Sequence, residues 1–394
     1  MSLRVALVSL HTSPLETPGT GDAGGLNVFV VGLADALTAA GVETEILTRR
    51  TGAATETPDA RTPGGAPVRF LAAGPLGPVP KNDLVGHLDE LTAALRTLPR
   101  FDVVHSNYWL SGLAGLPAAE GWGAPHVLSL HTVAALKNEN LAPGDRPEAE
   151  SRLAGERMLA QASDLTVAHT RAERDAVHSF YGVPAERLAV VPPGVDTQLF
   201  HPGPPDEGQP FVLVLARIQP LKGVELALEA VASIREADRP LLVVAGGTSP
   251  GHEAYAAGLL ERAAELGLEV RFLPAQSRPD TADLLRRAAL LLVPSHSETF
   301  GLVALEAAAS GTPVVAYRTS GLTESVVDGV SGMLLPSRDP RAWGEAIRGL
   351  LADRERRATL SIGALEHGRS RSWPTVAREV ASLYEGLIAG RIDP

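Results

Sequence analysis

The chain has 394 residues, of which 44% are hydrophobic and 21% are charged, so it is long enough for two globular domains of ordinary composition. Its net charge of −11 argues against nucleic acid or an anionic membrane surface as a partner, and the absence of cysteine excludes disulfide and thiolate chemistry. The N-terminal apolar run is too short for a signal peptide, and no run approaches the roughly 18 residues of a membrane span. The sequence therefore predicts a cytoplasmic protein without stable membrane insertion.

The first half of the chain alternates predicted strands and helices. Short apolar runs rich in β-branched residues indicate strands of a buried parallel sheet, and segments with helical period lie between them. The predicted strands are residues 4–10, 42–48, 68–73, 102–106, 126–130, 165–168 and 188–191, and the predicted helices are 27–40, 83–97, 147–162 and 171–181. This pattern predicts a doubly wound α/β domain.

A linker separates this half from a second alternation. Residues 191–210 contain six prolines and three glycines, a composition typical of a connection rather than an element. Predicted strands follow at 211–215, 241–245, 270–273, 290–294, 314–317 and 333–335, and the last helices are predicted between about 340 and 389. The fold class is therefore α/β, with two doubly wound, Rossmann-like domains.

The loop after the first strand contains Gly19-Thr-Gly-Asp-Ala-Gly24, which is literally G-x-G-x-x-G and precedes a helix. Taken alone, this motif predicts an NADP-binding Rossmann domain in which Arg49 or Arg50, at the end of the second strand, binds the 2′-phosphate. That fingerprint belongs in a tight turn directly after the strand, whereas residues 11–18 intervene here. The alternative is that the glycines at the helix start approach an anion or a sugar in a cleft between domains.

A stretch in the second half, residues 295–336, carries the strongest signal. It predicts a strand end, a short loop and a helix over about 300–310, with Glu298 in the loop and Glu306 in the helix. The N–H groups of Phe300, Gly301 and Leu302 at the helix start suit a phosphate. Glu298 is placed to bind a hydroxyl-rich group, and Glu306 is placed to accept hydrogen bonds from a diol such as a ribose.

This stretch resembles the donor-sugar motif of retaining glycosyltransferases with the GT-B fold, glycosyltransferase family 4. The first loop, from His11 to Asn27, resembles the branch that transfers N-acetylglucosamine to D-inositol 3-phosphate in mycothiol biosynthesis, and sucrose-phosphate synthases carry a looser version. The resemblance implies a GT-B architecture whose two domains face a central cleft. It assigns residues 1–195 to an acceptor-binding domain, joined by a C-terminal helix at 375–394, and residues 196–374 to a donor-binding domain.

The resemblance also implies an acceptor site. Lys81, Tyr108, Thr132 and Arg152 match the residues that hold the acceptor phosphate, and two cations with two hydroxyls suit a dianion on chemical grounds as well. Lys81 is one of only three lysines among 35 basic residues, with Lys137 and Lys222. The first-loop residues carried over to the acceptor side are His11, Asp22, Gly24 and Asn27.

On the donor side, the resemblance places Gly25 and Gln276 beside the residues of the 298–306 motif. Arg217 and Lys222 match the family's Arg…Lys-Gly motif, and two cations at a strand end suit a diphosphate leaving group. His131 matches the histidine that lines the donor-sugar pocket. The implied catalytic residues are His131, Arg217, Lys222 and Glu298, and the implied mechanism retains the anomeric configuration.

No Asp-x-Asp motif lies in the cleft-forming loops, so the sequence does not indicate a metal; Mg²⁺ is possible, and no cofactor is required. The expected partners are a nucleotide sugar, most simply UDP-N-acetylglucosamine, and a phosphorylated small-molecule acceptor, with a homodimer possible. Three other hypotheses stay open: transfer to a sugar phosphate as in sucrose-phosphate synthesis, an NADP-dependent oxidoreductase, and a nucleotide-sugar-binding regulator without activity.

Overall fold

The structure is a computed structural model that describes residues 3–19, 23–81, 83–141, 146–203, 210–319 and 321–392. Strands in the first half are β1 (Arg4–Val8), β2 (Glu43–Arg49), β3 (Val68–Leu71), β4 (Val103–Asn107), β5 (His126–Ser129), β6 (Leu165–Ala168) and β7 (Leu188–Val190). Strands in the second half are β8 (Phe211–Leu215), β9 (Leu241–Ala245), β10 (Val270–Leu273), β11 (Leu290–Val293), β12 (Val314–Tyr317) and β13 (Gly332–Leu335).

Helices separate nearly all of these strands. In the first half they are α1 (Gly25–Ala39), α2 (Leu88–Arg96), α3 (Trp109–Trp122), α4 (Ala134–Glu139), α5 (Glu150–Ala162) and α6 (Arg171–Tyr181). Those that follow are α7 (Val224–Ser233), α8 (Glu253–Glu265), α9 (Arg278–Arg287), α10 (Leu302–Ala309), α11 (Leu322–Ser325), α12 (Pro340–Ala352), α13 (Arg354–Ser370) and α14 (Trp373–Ile392). Short 3₁₀ turns cover Asp83–His87, Ala185–Arg187, Pro220–Lys222 and Glu236–Asp238.

The strands form two parallel sheets, in the orders β3-β2-β1-β4-β5-β6-β7 and β10-β9-β8-β11-β12-β13. The central strands are buried on both faces, as the near-continuous apolar runs predict, because helices cover each sheet on both sides. The predicted fold class, two Rossmann-like domains, is confirmed. In each sheet the strand order reverses beside the first strand, and ligands of open α/β sheets bind in the crevice outside such a reversal.

The chain passes between the two sheets twice, and the two passages lie side by side. Val195 pairs with Ser372 in a parallel bridge, in which Val195 N donates to Arg371 O at 2.8 Å and Trp373 N donates to Val195 O at 3.3 Å. A Cβ added to Gly194 would lie 2.8 Å from the Trp373 ring, so this position accepts only glycine without a shift. The two connections are therefore joined to each other as well as to both domains.

The last helix, α14, packs on the first domain. Its Trp373 ring occupies the space where a Cβ on Gly32 of α1 would stand, 2.1 Å away. Farther along, the Tyr384 hydroxyl lies 2.7 Å from His105 Nδ1 on β4, in a buried contact between positions 279 apart. His105 Nε2 pairs with Ser129 Oγ, which donates to Val167 O, so Nδ1 is the acceptor and Tyr384 the donor. Helix α14 thus completes the core of the first domain.

Helices α3 and α4 and the start of α10 differ from the sequence-based expectation. Helix α3 was not predicted, because it contains Pro117 and glycines; a Cβ on Gly115 would lie 2.2 Å from Ser106 Oγ, so close packing on β4 requires glycine there. Helix α10 begins at Leu302 rather than Phe300, since Gly301 adopts φ +90° and caps it. Among the described residues, no helix is long and apolar enough to cross a membrane.

Candidate active site

A cleft of about 1210 Å³ opens between the two sheets at the carboxyl ends of their strands. Predicted site residues from both halves line it. On the first-domain side these are His11, Gly24, Gly25, Lys81, Tyr108, His131, Thr132 and Arg152, and on the second-domain side Arg217, Lys222, Glu298, Phe300, Gly301 and Leu302. The cleft therefore brings the predicted donor and acceptor groups to one cavity.

Arg152 is the centre of the first-domain group. Its side chain is 5% exposed, and its Nη2 donates to Thr132 Oγ1 at 2.8 Å and to Thr132 O at 3.1 Å. The guanidinium lies 5.0 Å from the centre of the Tyr108 ring, which is a cation–π contact. Three of the four residues predicted to hold the acceptor phosphate are thus in direct contact.

Two carboxylates hold Arg152 in place. Its Nε is 2.7 Å from Glu156 Oε1 and its Nη1 is 3.0 Å from Glu148 Oε2. Glu156 is fully buried and also accepts from Ala134 N and Tyr181 OH. Burial alone would lower the pKa of Arg152, but Tyr108, Glu156 and Glu148 together raise it above its ordinary value, so the guanidinium stays charged. The arginine is fixed before any ligand arrives.

Tyr108 and His11 form one wall of the same region. Their ring centres are 4.4 Å apart, and burial raises the pKa of the Tyr108 hydroxyl. Burial, followed by the charges of Lys81 and Arg152, lowers the pKa of His11 to about 3, so its imidazole is neutral. Tyr108 has φ +78° and ψ +153°, a conformation that a non-glycine residue adopts only at a cost, and such strain concentrates at functional sites.

His131 also has positive φ, +62°, at the end of β5. Its Nδ1 lies 3.1 Å from His169 Nε2, and its Nε2 lies 2.9 Å from Asn107 Oδ1. Phe29 packs against both imidazoles, with ring centres at 5.1 and 4.4 Å. Burial is the main cause of the lowered pKa of His131 and His169, and at neutral pH the pair presents uncharged imidazole to the cleft.

On the second-domain side, Lys222 and Glu298 face each other. Lys222 Nζ lies 2.7 Å from Glu298 Oε1, and Ser295 Oγ donates to the same oxygen at 2.8 Å. Lys222 ends a 3₁₀ turn after β8, and Gly223 follows with φ +64°. Arg217 lines the cleft from the same β8 loop. The lysine and arginine of the predicted motif thus reach one end of the cavity.

The start of α10 opens on the same end of the cavity. Ala304 N donates to Gly301 O at 2.9 Å, and the first turn as a whole carries the positive end of the helix dipole. A Cβ on Gly301 would lie 2.6 Å from Leu322 Cδ2, so glycine is required by packing as well as by its φ of +90°. Helix N-termini of this kind, beside two cations, favour phosphate.

Three predicted residues in the described part of the chain do not line the cleft. Glu306 is 5% exposed and its Oε1 pairs with Arg278 Nη1 at 2.6 Å, while Gln276 donates to Pro274 O. Asn27 is buried; its side chain accepts from Gly24 N and donates to Thr12 and Ser13, so it fixes the loop geometry. Asp22 lies outside the described residues. Their ligand contacts stay predictions.

The sequence analysis missed several cleft residues. His169 and Glu173 line the cavity, and His169 follows β6 as His131 follows β5, so the same rule about strand ends indicated it. Arg49 also lines it and donates to the carbonyls of Pro75 and Gly77, in the segment that leads to Lys81.

The first-loop glycines do not form a dinucleotide turn. Strand β1 ends at Val8 and α1 begins at Gly25, which leaves residues 9–24 between them. A Cβ on Gly25 would lie 3.3 Å from Leu302 Cδ1, so this glycine lies where the two domains meet. As for metals, no group of three histidine or acidic side chains suited to hold an ion occurs in the described part of the chain.

Comparison with known proteins gives matches to both halves. Residues 23–199 match the family model described as Glycosyltransferase Family 4, and residues 196–367 match that described as Glycosyl transferases group 1. The D-inositol 3-phosphate glycosyltransferase of Thermobispora bispora is 44% identical over 405 residues, covering 97% of this chain and 94% of the relative. That of Salinispora tropica is 42% identical over 414 residues, covering 98% and 86%.

Among solved structures, the sucrose-phosphate synthase of Thermosynechococcus elongatus matches with a TM-score of 0.89 and 28% identity, over 98% of this chain and 100% of that one. Sequence and fold therefore agree along nearly the full length, and the chain belongs to the family 4 glycosyltransferases with the GT-B fold.

Proposed function

We propose that this protein transfers N-acetylglucosamine from UDP-N-acetylglucosamine to 1D-myo-inositol 3-phosphate with retention of anomeric configuration. One observation carries the proposal: Lys81, Tyr108, Thr132 and Arg152, a group suited to phosphate, line the same cleft as a second cationic group, Arg217 and Lys222. A transferase for two phosphorylated substrates needs this arrangement. The name of the relatives at 42–44% identity, D-inositol 3-phosphate glycosyltransferase, supports the acceptor.

The second-domain group is suited to the leaving diphosphate. Arg217, Lys222 and the start of α10 neutralise the charge that develops as the bond between the sugar C1 and the phosphate oxygen breaks. Glu298, at the same end of the cavity, accepts hydrogen bonds from hydroxyl groups of the donor sugar. These positive charges are in place around the diphosphate before its bond to the sugar breaks.

The first-domain group is suited to the acceptor phosphate. Arg152 and Lys81 supply charge, and the hydroxyls of Tyr108 and Thr132 supply further hydrogen bonds. Because Arg152 is held by two carboxylates and Thr132, its guanidinium does not have to be ordered on binding. Fixing the phosphate in this way places the rest of the acceptor against the donor sugar.

The anomeric configuration is retained if the acceptor oxygen attacks and the diphosphate leaves on the same face of the sugar. Glu298 is engaged by an ammonium and a hydroxyl, which makes it a poor nucleophile for a covalent intermediate. In the proposed step the acceptor oxygen forms its bond to C1 while the C1–phosphate bond breaks through an oxocarbenium-like state. The acceptor proton passes to the departing phosphate oxygen, and the protein contributes position and charge. No cofactor takes part.

A second candidate keeps the donor site and changes the acceptor to a sugar phosphate. The match to a sucrose-phosphate synthase, with a TM-score of 0.89 at 28% identity, favours it. The 42–44% identity to inositol-phosphate enzymes favours the first candidate more. Fructose 6-phosphate in place of the inositol phosphate separates the two.

The test is release of UDP from UDP-N-acetylglucosamine with and without inositol 3-phosphate, in EDTA and in Mg²⁺. We expect acceptor-dependent release of UDP at equal rates in EDTA and in Mg²⁺, and loss of this release in Lys81→Ala. The ¹H coupling constant of the product's anomeric proton reports its configuration. Release without acceptor dependence would disprove the acceptor. A β-configured product from the α-linked donor would disprove retention, and failure to bind any nucleotide sugar would disprove the donor assignment.

A further inference from the structure

A hydrogen bond between the two domains lies beside the cleft. The backbone N–H of Arg171, the first residue of α6, donates to Glu324 Oε1 of α11 at 2.7 Å. This N–H is one of the first-turn donors that an α-helix cannot satisfy internally, and the dipole of α6 favours a negative charge there. Glu324 therefore acts across the domain boundary as a carboxylate that caps a helix of the opposite domain.

On the second-domain side, α11 is attached to the donor loop. Gly321 N donates to Glu298 O at 3.1 Å, and a Cβ on Gly321 would lie 2.2 Å from Thr299 O. Leu322, which is fully buried, packs against Gly301 at the start of α10. Because helix and loop are in such close contact, Glu324 must move with the backbone of Glu298.

On the first-domain side, the start of α6 holds the histidine pair. Thr170 Oγ1 caps the helix by accepting from Glu173 N, and Glu173 Oε2 accepts from His169 N at 2.7 Å. His169 Nε2 lies 3.1 Å from His131 Nδ1, and both imidazoles line the cleft. The first turn of α6 therefore sets the backbone position of His169 and, through it, of the His131 ring.

We propose that Glu324 is a positioning residue that couples the donor loop to the His131–His169 pair when the domains close. Its carboxylate secures the closed arrangement and, in the same contact, aligns the first turn of α6. The role of His131 at the donor sugar rests on the proposed function; the contribution of Glu324 to closure does not. One hydrogen bond thus connects the segment proposed to bind the donor with the segment that carries the histidines.

The backbone donor can be removed without deleting a side-chain partner. Arg171→Pro eliminates the N–H at the first helical position, where proline is well tolerated. The preceding residue, Thr170, has φ −140° and ψ +160°, which suits a residue before proline. Arg171→Ala is the matched control, since it removes the exposed side chain and keeps the N–H. Glu324→Ala removes the acceptor from the other domain.

Closure is measured directly by fluorescence transfer between dyes on Asp89→Cys in α2 and Glu261→Cys in α8, since both side chains are exposed and the chain has no other cysteine. We expect Glu324→Ala and Arg171→Pro each to lower the closed-to-open ratio about tenfold, with and without UDP, as for one charge-assisted hydrogen bond. The double variant should fall no further, and Arg171→Ala should match the unsubstituted protein.

Turnover provides the second measurement. At saturating substrates kcat should fall about tenfold in the same two variants, with Tm and the affinity for UDP little changed. Multiplicative losses in the double variant, or an equal loss in Arg171→Ala, would overturn the coupling. Loss of kcat with an unchanged closed-to-open ratio would overturn the role in closure. If no acceptor supports transfer but the closure differences are found, the proposed function fails and the contribution of Glu324 to closure stands.

Discussion

Lys222 and Glu298 lie 76 positions apart, yet the ammonium of one is 2.7 Å from the carboxylate of the other. Both side chains are mostly buried, at 17% and 14% exposure, so each needs a partner when no ligand is bound. The pair therefore fixes both side chains at the start of α10 in advance. In the proposed function, a bound diphosphate has only to share a lysine that is already in position, which reduces the ordering cost of binding.

Lys222→Ala should lower kcat by about 10²-fold or more, because it removes charge aimed at the leaving group. It also removes a cation 2.7 Å from Glu298, which leaves the negative charge of Glu298 less balanced. Steady-state release of UDP measures the effect. The matched control is Arg262→Ala, which breaks ion pairs with Glu229 and Glu265 on the surface. An equal loss in both variants would contradict a specific role for Lys222.

Lys81→Ala and Arg152→Ala should separate binding from stability. Both are expected to raise KM for the acceptor at least tenfold, since each removes a phosphate ligand. Only Arg152→Ala should also destabilise the fold, by about 3–5 kcal/mol, because it leaves the buried Glu156 without its cation. Urea unfolding followed by tryptophan fluorescence measures this difference. Unchanged stability of Arg152→Ala would mean that Ala134 N and Tyr181 OH alone satisfy Glu156.

Gly301→Ala should impair both donor binding and stability. The positive φ costs a non-glycine residue about 1–2 kcal/mol, and the Cβ, 2.6 Å from Leu322 Cδ2, adds about 1–3 kcal/mol of overpacking. Gly329→Ala is the matched control, because Gly329 has φ +76° and no atom within 4 Å of its added Cβ. Calorimetric titration with UDP should show weaker binding for Gly301→Ala alone. Equal affinities would indicate that the start of α10 does not contact the nucleotide.

Glu173 should make stability fall as pH rises from about 4.5 to 7. Burial is the largest cause of its raised pKa, about 7, against an ordinary value of 4.5. The folded state therefore holds the proton more tightly in this window, and the stabilisation present below pH 4.5 is lost by pH 7. Glu173→Gln should reduce this decline by on the order of 3 kcal/mol. The control is Glu186→Gln, an exposed glutamate; coincident stability–pH curves for the two variants would refute the prediction.

The periodicity of the sequence was sufficient for the two sheets, because strands buried on both faces leave apolar runs that helices separate. The residues at strand ends, such as Lys222 after β8 and His131 after β5, could be assigned to one edge for the same reason. Helix α3 was missed because its glycines are set by contacts with Ser106 and Leu159, which are distant in the chain. Local sequence preferences cannot reveal contacts between residues that are distant in the chain.

The contacts between domains could not be predicted from the sequence at all. Arg171 begins a predicted helix and Glu324 lies in the stretch 295–336, but neither position indicates that the backbone N–H of one meets the carboxylate of the other. The pairing of Glu306 with Arg278 is similar: a diol-binding role follows from the motif, whereas the ion pair follows from the packing of α10 beside α9. These relationships depend on tertiary placement, which neither spacing nor composition encodes.

The attachment of α14 to the first domain has a consequence for biosynthesis. The apolar surface of α1 that Trp373 covers is synthesised early, but its cover is synthesised only after all the strands of the second sheet. The second sheet can form while the chain is still being translated, whereas the first domain must wait with an open groove until α14 has been synthesised. A nascent chain that ends before α14 thus lacks part of the first-domain core, although every strand of that domain is already present.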